Sequence, residues 1–564
     1  MTAPVRERAV LDPDVPVIDA DRAAAYREAG LWRPELVIDL VLDRCRAQPD
    51  RCAVVDGDRR VTYGELAAAV YEAAARLRAQ GIGPGDRVCV QLPNCLEYVV
   101  LVLALLHVGA PPVLILPAFR EHELNHIVSV TRPVALAVDS GTRRADRLGL
   151  ARTLRDRHPC LRKLLVRGAE QLAEDETDLT RLCRPAPDDA APRGPRADPA
   201  APGATPRDAA VFLLSGGTTG LPKAIPRAHE GYGYMIRTAM GIAGVTPQTV
   251  NLVVMPAAHG FVMNCPGVLG TLIAGGRVVL ANPNSPRAAF ELIARERVTH
   301  CTLVPTLMLQ WLAAAPGSGA DLSSLEVIQV GGARPGAEAA ARVRTDLGAT
   351  LQQCYGMSEG LLCFTRLDAA DEVVHTTQGS PAGPADEIRV VDADGRPVAQ
   401  GEMGELLTRG PYTVAGYYRN PEATASAFTD DGFYRTGDLV RVDREGNVVL
   451  EGRVRDSINR GGEKISAEEL ESMAHRHPRI AQAAGVAMPH ELYGEAVCLY
   501  AVLDGQGTVG LRELRRFLEQ QGLAAFKFPE RLEIVDALPL TGIGKIDKKA
   551  LREDIAGRLA AEKH

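Results

Sequence analysis

The stretch Ser215-Gly216-Gly217-Thr218-Thr219-Gly220-Leu221-Pro222-Lys223, SGGTTGLPK, carries the parts of a phosphate-binding loop in an unfamiliar order. In the P-loop formula G-x-x-x-x-G-K-[ST], lysine directly follows the second glycine and a hydroxyl follows the lysine to hold magnesium. Here Leu221 and Pro222 intervene and Ala224 follows the lysine, which disfavours a kinase or motor built on that loop. The ingredients remain suited to phosphate. Glycines allow close approach of backbone N–H groups, Ser215, Thr218 and Thr219 offer hydroxyls, and Lys223 adds charge.

Working outward, the chain has 564 residues, 46% hydrophobic and 24% charged, as expected of a soluble globular enzyme, and its length fits either several structural units or one large composite domain. A net charge of −7, a pI near 6.0 and no polybasic run argue against a nucleic-acid partner. The longest strongly apolar run, Tyr98 to Leu106, is too short to span a bilayer, and the first residues have no apolar signal core. A cytoplasmic protein is expected. Eleven cysteines occur singly, with no C-x-x-C pair for zinc or a disulfide framework, and are expected to be mostly buried. Lysine is scarce, eight against fifty-six arginines, and Lys223, Lys464 and Lys545 all fall in glycine-bearing stretches.

Residues 61 to 118 set an α/β rhythm. Thr62-Tyr63-Gly64-Glu65 has capping-box spacing and opens an Ala-rich helix towards Gly81. A short β-branched segment, GPGDRVCVQL, precedes Asn94, a candidate cap for the helix CLEYVVLVLALLHVG, and the apolar strand PPVLIL follows. Apolar segments return at 253–255, 278–280, 302–304 and 327–330. This alternation predicts a largely parallel sheet covered on both faces. Arg184 to Arg207, rich in Pro, Ala and charge, reads as a flexible surface loop. After about Gly452 the chain becomes more charged, which points to a smaller second domain.

Five further stretches follow in order: VGGARPG (330–336), YGMSEG (355–360), YRTGD (434–438), EGRVRDSINRGGEKIS (451–466) and PLTGIGKIDKKALRE (539–553). With SGGTTGLPK they resemble the core motifs of the adenylate-forming superfamily. The stretches SGGTTGLPKAIPRAH, CPGVLGTLIAGGRVVL, TRGPYTVAGYY, INRGGEKISAEELE and GLAAFKFPERLE are similar to the stand-alone aryl acid AMP ligases of the 2,3-dihydroxybenzoate and salicylate type. The resemblance implies an α/β fold. A large N-terminal domain (1–454) would hold two sheet-helix lobes and a small β-barrel, and a mobile α+β C-terminal domain (455–564) would hinge at Asp456.

It also implies ATP and Mg²⁺ as the small-molecule requirements, an aromatic carboxylic acid as substrate, and a phosphopantetheinylated aryl carrier protein acting in trans. An aryl-CoA ligase and a dihydroxybenzoate or salicylate ligase proper stand as alternatives, and a nucleotide-binding regulator without catalysis as a further one. Such chemistry needs charge neutralisation more than a general base, because a carboxylic acid is already ionised at neutral pH. By resemblance Lys545 is the catalytic cation, Glu359 the magnesium ligand and His259 a further catalytic residue. Ser215, Gly216, Gly217, Thr218, Thr219, Lys223, Gly331, Gly332, Ala333, Tyr355, Gly356, Met357, Ser358, Asp438 and Arg453 would bind ATP or AMP. Tyr355 would stack on adenine, and Asp438 and Arg453 would meet the ribose. His259, Gly260, Phe261, Cys265, Gly332 and Cys354 would form the acid pocket. There this sequence departs from the dihydroxybenzoate ligases, which carry Asn at the position of Gly260 and a larger Val at that of Cys354, and a pocket for an acid bulkier than salicylate is expected.

Overall fold

The computed structural model describes residues 12–141, 146–185, 203–215, 221–282, 285–453, 457–505, 507–539 and 546–562. Most of the Pro- and Ala-rich stretch, at 186–202, lies outside them, as do residues 216–220, Asp456 and Lys545.

The expected α/β rhythm resolves into two sheets. The first orders its strands Glu176–Asp178, Lys163–Arg167, Ala135–Asp139, Val88–Gln91, Pro112–Leu114, Ala209–Ser215 and Lys223–Ala228, parallel except for the last antiparallel pair. The second runs in parallel from Thr350–Gly356 through Val327–Gly331, His300–Leu303, Val250–Val253 and Arg277–Leu280 to Cys52–Asp56, with antiparallel strands at both edges. The apolar segment expected at 253–255 is displaced, since its strand ends at Val253.

Thr62 and Glu65 close their capping box and the helix Tyr63–Ala79 follows. The next helix, Leu96–Val108, is buried on nearly every side, in a core cluster that takes residues from both sheets. A helix apolar all round must be enclosed, which is why this segment shows no amphipathic period.

Asn94 does not cap that helix; Cys95 holds the position and makes no side-chain cap bond. Instead the Asn94 amide donates to the carbonyls of Met255 and Ala281, both at 2.9 Å, and its Oδ1 accepts from Ala257 N–H at 2.8 Å. It ties the end of the first sheet's Val88–Gln91 strand to the second sheet. Buried backbone groups at strand ends need partners, and that demand outweighs a cap.

The expected small barrel is a four-stranded antiparallel sheet, in the order Glu387–Val391, Gly404–Arg409, Tyr434–Val442 and Val448–Arg453, whose edge strands do not pair with each other. From Ser457 a further sheet gathers Glu463–Ser466, Ser457–Arg460, Gly494–Leu503, Ile480–His490 and Arg531–Ile534, with its own apolar clusters on both faces. Nine of the eleven cysteines are buried and all are free. Among the described residues no helix is long and apolar enough to cross a membrane.

Burial also sets a pH dependence. His229, 1% exposed, accepts from Val37 N–H at 3.1 Å, and desolvation pushes its pKa down to about 4. The unfolded chain then binds this proton more tightly than the native one, so stability is full above about pH 6.5 and declines as pH falls towards the folded value. By pH 5 this amounts to about 2 kcal/mol. Asp386, raised to about 6 by burial, works in the opposite direction and offsets part of the loss. Chemical denaturation between pH 8 and 5 is expected to show stability falling on acidification. His229→Asn, which keeps an acceptor but not the titration, should flatten that slope.

Candidate active site

The strands on either side of residues 216–220 pair antiparallel, so the stretch joins strand to strand and not strand to helix. Ser215 ends one strand, Lys223 begins the next, and the two are register partners. Lys223 Nζ lies 4.5 Å from the centre of the Tyr417 ring. That tyrosine's hydroxyl donates to Glu359 at 3.0 Å and contacts the Tyr434 hydroxyl at 3.3 Å. Glu359 is 4% exposed, and its main chain is fixed by Val414 N–H, which donates to its carbonyl at 2.8 Å.

One cavity collects most of the described residues predicted from motifs far apart in sequence. Its lining includes Ser215, His259, Gly260, Phe261, Cys265, Gly331, Gly332, Ala333, Cys354, Tyr355, Gly356, Met357, Ser358, Glu359 and Asp438. Lys223 stands beside it, on Tyr417, without lining it. The parallel strands explain the convergence, since Gly331 and Gly356 close neighbouring strands and open sheets gather sites at their carboxyl ends.

Tyr355 and Asp438 are joined directly, the phenol donating to Asp438 Oδ2 at 2.7 Å. Asp438 is 3% exposed and lies on the cavity wall. Arg453 is the backbone partner of Asp438 on the adjacent strand. Gly331 lies flat against Phe261: an added Cβ would approach Phe261 Cε1 to 2.9 Å and the Cys354 carbonyl to 3.1 Å.

His259 caps the short helix Gly260–Asn264, its Nδ1 accepting from Phe261 N–H at 3.2 Å. Burial lowers its pKa, Glu463 opposes this and Lys464 adds to it, so the ring is neutral at pH 7. Burial pushes the Cys265 thiol up to about 12 and the Cys354 thiol well above its usual value, so both are apolar wall and not nucleophiles.

The residues that follow Ser457 also reach this cavity. Asn459, Gly462, Glu463, Lys464, Phe526 and Lys527 contribute to its lining. Asn459 Nδ2 donates to the Gly332 carbonyl at 2.7 Å, and Gly332, at φ +88°, would bring a Cβ to 2.9 Å from Gly462 Cα. Two glycines thus permit a backbone-to-backbone approach that no side chain allows. Lys527 is 4% exposed and ion-paired to Glu123 at 3.0 Å and Glu469 at 2.8 Å, and Phe526 stacks with Phe119 at 6.3 Å.

Residues 41–418 match the model of the AMP-binding enzyme family, and residues 469–545 that of the AMP-binding enzyme C-terminal domain. The chain belongs to the AMP-binding enzyme family. It is 48% identical over 542 residues to a 2-hydroxy-7-methoxy-5-methyl-1-naphthoate–CoA ligase of Streptomyces carzinostaticus, covering 96% of each chain. It is 44% identical over 540 residues to the 2,3-dihydroxybenzoate-AMP ligase of Bacillus subtilis, covering 96% of this chain and 97% of the other. The apo structure of Mycobacterium smegmatis MbtA superposes with a TM-score of 0.71 at 43% identity, covering 95% of this chain and 98% of the other.

Two further wall residues carried no expected role: Arg227, inside the quoted stretch SGGTTGLPKAIPRAH, and Asn264, immediately before the stretch that begins at Cys265. The spacing of Gly260 and Asn264, four residues apart, is the signal that places them on one helical face.

Proposed function

We propose that this chain is an aryl acid AMP ligase. It would join an aromatic carboxylic acid to ATP, forming the acyl adenylate and releasing pyrophosphate, and then pass the acyl group to a phosphopantetheine thiol with release of AMP. The observation that carries this reading is the single cavity whose nucleotide wall, Gly331, Tyr355 and Asp438, continues into an acid wall of Phe261, Leu362, Cys354 and Cys265. A carboxylate oxygen attacks the α-phosphorus, the bond to the β-phosphate bridging oxygen breaks, and two anions must be held together throughout. Ser215, residues 216–220 and Lys223 would hold the phosphates. Neutral His259, donating from Nε2, would help to orient the incoming carboxylate.

Glu359 fits a magnesium ion. It is a buried carboxylate on the cavity wall whose side-chain partner among the described residues is the Tyr417 hydroxyl, and magnesium is commonly held by one or two carboxylates plus substrate phosphates. When bound, the ion would neutralise phosphate charge; the protein's part is to fix the carboxylate.

The division of labour follows the proposed boundary at 454/455, with acid and ATP bound by the larger part and Lys545 brought by the smaller. The acid is proposed to be larger than salicylate, and a relative named for a bicyclic naphthoate supports this. The acceptor is proposed to be a separate carrier protein. A free aryl-CoA product is the second reading, favoured by that same relative's name as a CoA ligase. ATP–pyrophosphate exchange across mono- and bicyclic aromatic acids tests the first half-reaction, and product analysis with CoA against a phosphopantetheinylated carrier tests the second.

Asp438→Ala removes the proposed ribose acceptor together with its hydrogen bond from the Tyr355 hydroxyl. The loss should be about 1 to 3 kcal/mol, read as a rise of roughly 5- to 150-fold in KM for ATP. An unchanged KM for ATP would overturn the assignment.

A further inference from the structure

At the acid end of the cavity, two buried donors have only sulfur as partner for part of their hydrogen-bonding capacity. Arg227, 2% exposed, donates from Nη1 to the Ser358 carbonyl at 2.8 Å, while its Nη2 has the Met235 thioether at 3.2 Å. The Tyr232 ring lies 5.9 Å away, and no carboxylate among the described residues is ion-paired with it. Asn264, also 2% exposed, accepts from the Tyr232 hydroxyl at 3.0 Å, while its Nδ2 faces Cys265 Sγ at 3.1 Å and the same Met235 sulfur at 3.9 Å. Both residues line the cavity.

Thioether and thiol sulfur are weak acceptors, so both donors gain by turning to an oxygen. A buried guanidinium with no anionic partner has the same preference, more strongly. The backbone opens the way. Gly260 lies one helical turn before Asn264, and a side chain there would meet Leu213 Cδ1 at 3.4 Å and Asn264 Oδ1 at 3.6 Å. With glycine at 260, the Asn264 amide and Leu213 themselves form the wall at that height. The remaining surroundings, Met235, Phe261, Cys265 and Cys354, are apolar.

We infer that Asn264 and Arg227 form a two-donor subsite for an oxygen substituent on the ring of the aromatic acid. The two donors are thereby specificity-determining residues, placed to read that oxygen directly. This rests on the aryl acid reading and deepens it. Specificity of this kind is strong because an acid lacking the oxygen leaves two buried donors without a proper acceptor.

The test is ATP–pyrophosphate exchange with regioisomeric hydroxybenzoates and hydroxynaphthoates, each compared with its deoxy parent. In the wild type at least one hydroxy acid is expected to exceed its parent by about tenfold or more in kcat/KM. Asn264→Leu should bring that ratio close to one. Asn264→Asp, near-identical in shape but with an acceptor where the donor was, is expected to do the same and serves should the leucine variant fail to fold. Arg227→Gln should also collapse the ratio while KM for ATP keeps its wild-type value. Survival of the discrimination in either Asn264 variant overturns the subsite. A raised KM for ATP with discrimination intact in Arg227→Gln would confine that arginine to holding the Ser358 carbonyl and overturn the two-donor assignment. Exchange with aromatic acids but no preference for any hydroxylated one overturns the subsite alone, whereas no exchange with any aromatic acid overturns the aryl acid reading and the subsite with it.

Discussion

Replacing Lys545 with alanine is expected to slow acyl adenylate formation by on the order of a thousandfold, while thiol transfer from a supplied adenylate falls much less. The charge matters when two anions approach, and a group stabilising only that transition state contributes nothing to a later step that lacks it. The residues on either side of Lys545 are held within the C-terminal part: Asp547 N–H donates to the Pro539 carbonyl at 2.8 Å, and Lys548 pairs at 2.8 Å with Glu471 on the helix Ala467–Ala474. Neither Pro539 nor Ile546 to Lys548 lines the cavity, whereas the Ser457–Ser466 hairpin does through Asn459, Gly462, Glu463 and Lys464. One small domain thus has two surfaces with a claim on a single site, and using them in turn requires rotation. In the arrangement observed, the Lys527 pairs with Glu123 and Glu469 and the Phe119–Phe526 stack hold the hairpin at the cavity. Rapid-quench measurement of pyrophosphate release, set beside thioester formation from synthetic adenylate, separates the two half-reactions. Equal losses in both would overturn the role of Lys545.

The convergence of the residues proposed to bind the nucleotide was legible in the sequence because they sit at strand ends and turns, where local chemistry is specific. Tyr355 and Asp438 came from separate motifs and prove to be hydrogen-bonded. The Thr62–Glu65 capping box was readable for the same reason, its partners lying three residues apart. Asn94 was misread because a cap is a local inference, whereas its true partners, Met255 and Ala281, are brought to it only by the packing of the two sheets. Arg227 and Asn264 escaped for a related reason. One lies on a hairpin strand and the other on a helix of five residues, too short to show a period, and their convergence on Met235 is a product of the tertiary fold. The Ser457–Ser466 hairpin gave glycines and a lysine but no sign that Gly462 would meet Gly332, since two permissive backbones reveal their purpose only when placed together.

Glu359→Gln should lower adenylation by on the order of a hundredfold or more and move its half-maximal magnesium concentration upward. The substitution keeps the shape of the side chain and an oxygen that can accept from the Tyr417 hydroxyl, so the loop from Tyr355 to Gly360 keeps its anchor while the negative charge disappears. A metal site made from one protein carboxylate and substrate phosphates has little redundancy, and losing that carboxylate leaves the ion held by ATP alone. Tyr417→Phe separates charge from position. It retains the ring under Lys223 and the Glu359 carboxylate but deletes the hydroxyl that orients it, so a smaller loss, about tenfold, is expected. Exchange rates measured against magnesium at saturating acid and ATP distinguish the two variants. A Glu359→Gln enzyme with the wild-type magnesium dependence would show that this carboxylate does not serve the metal, whatever happened to its rate.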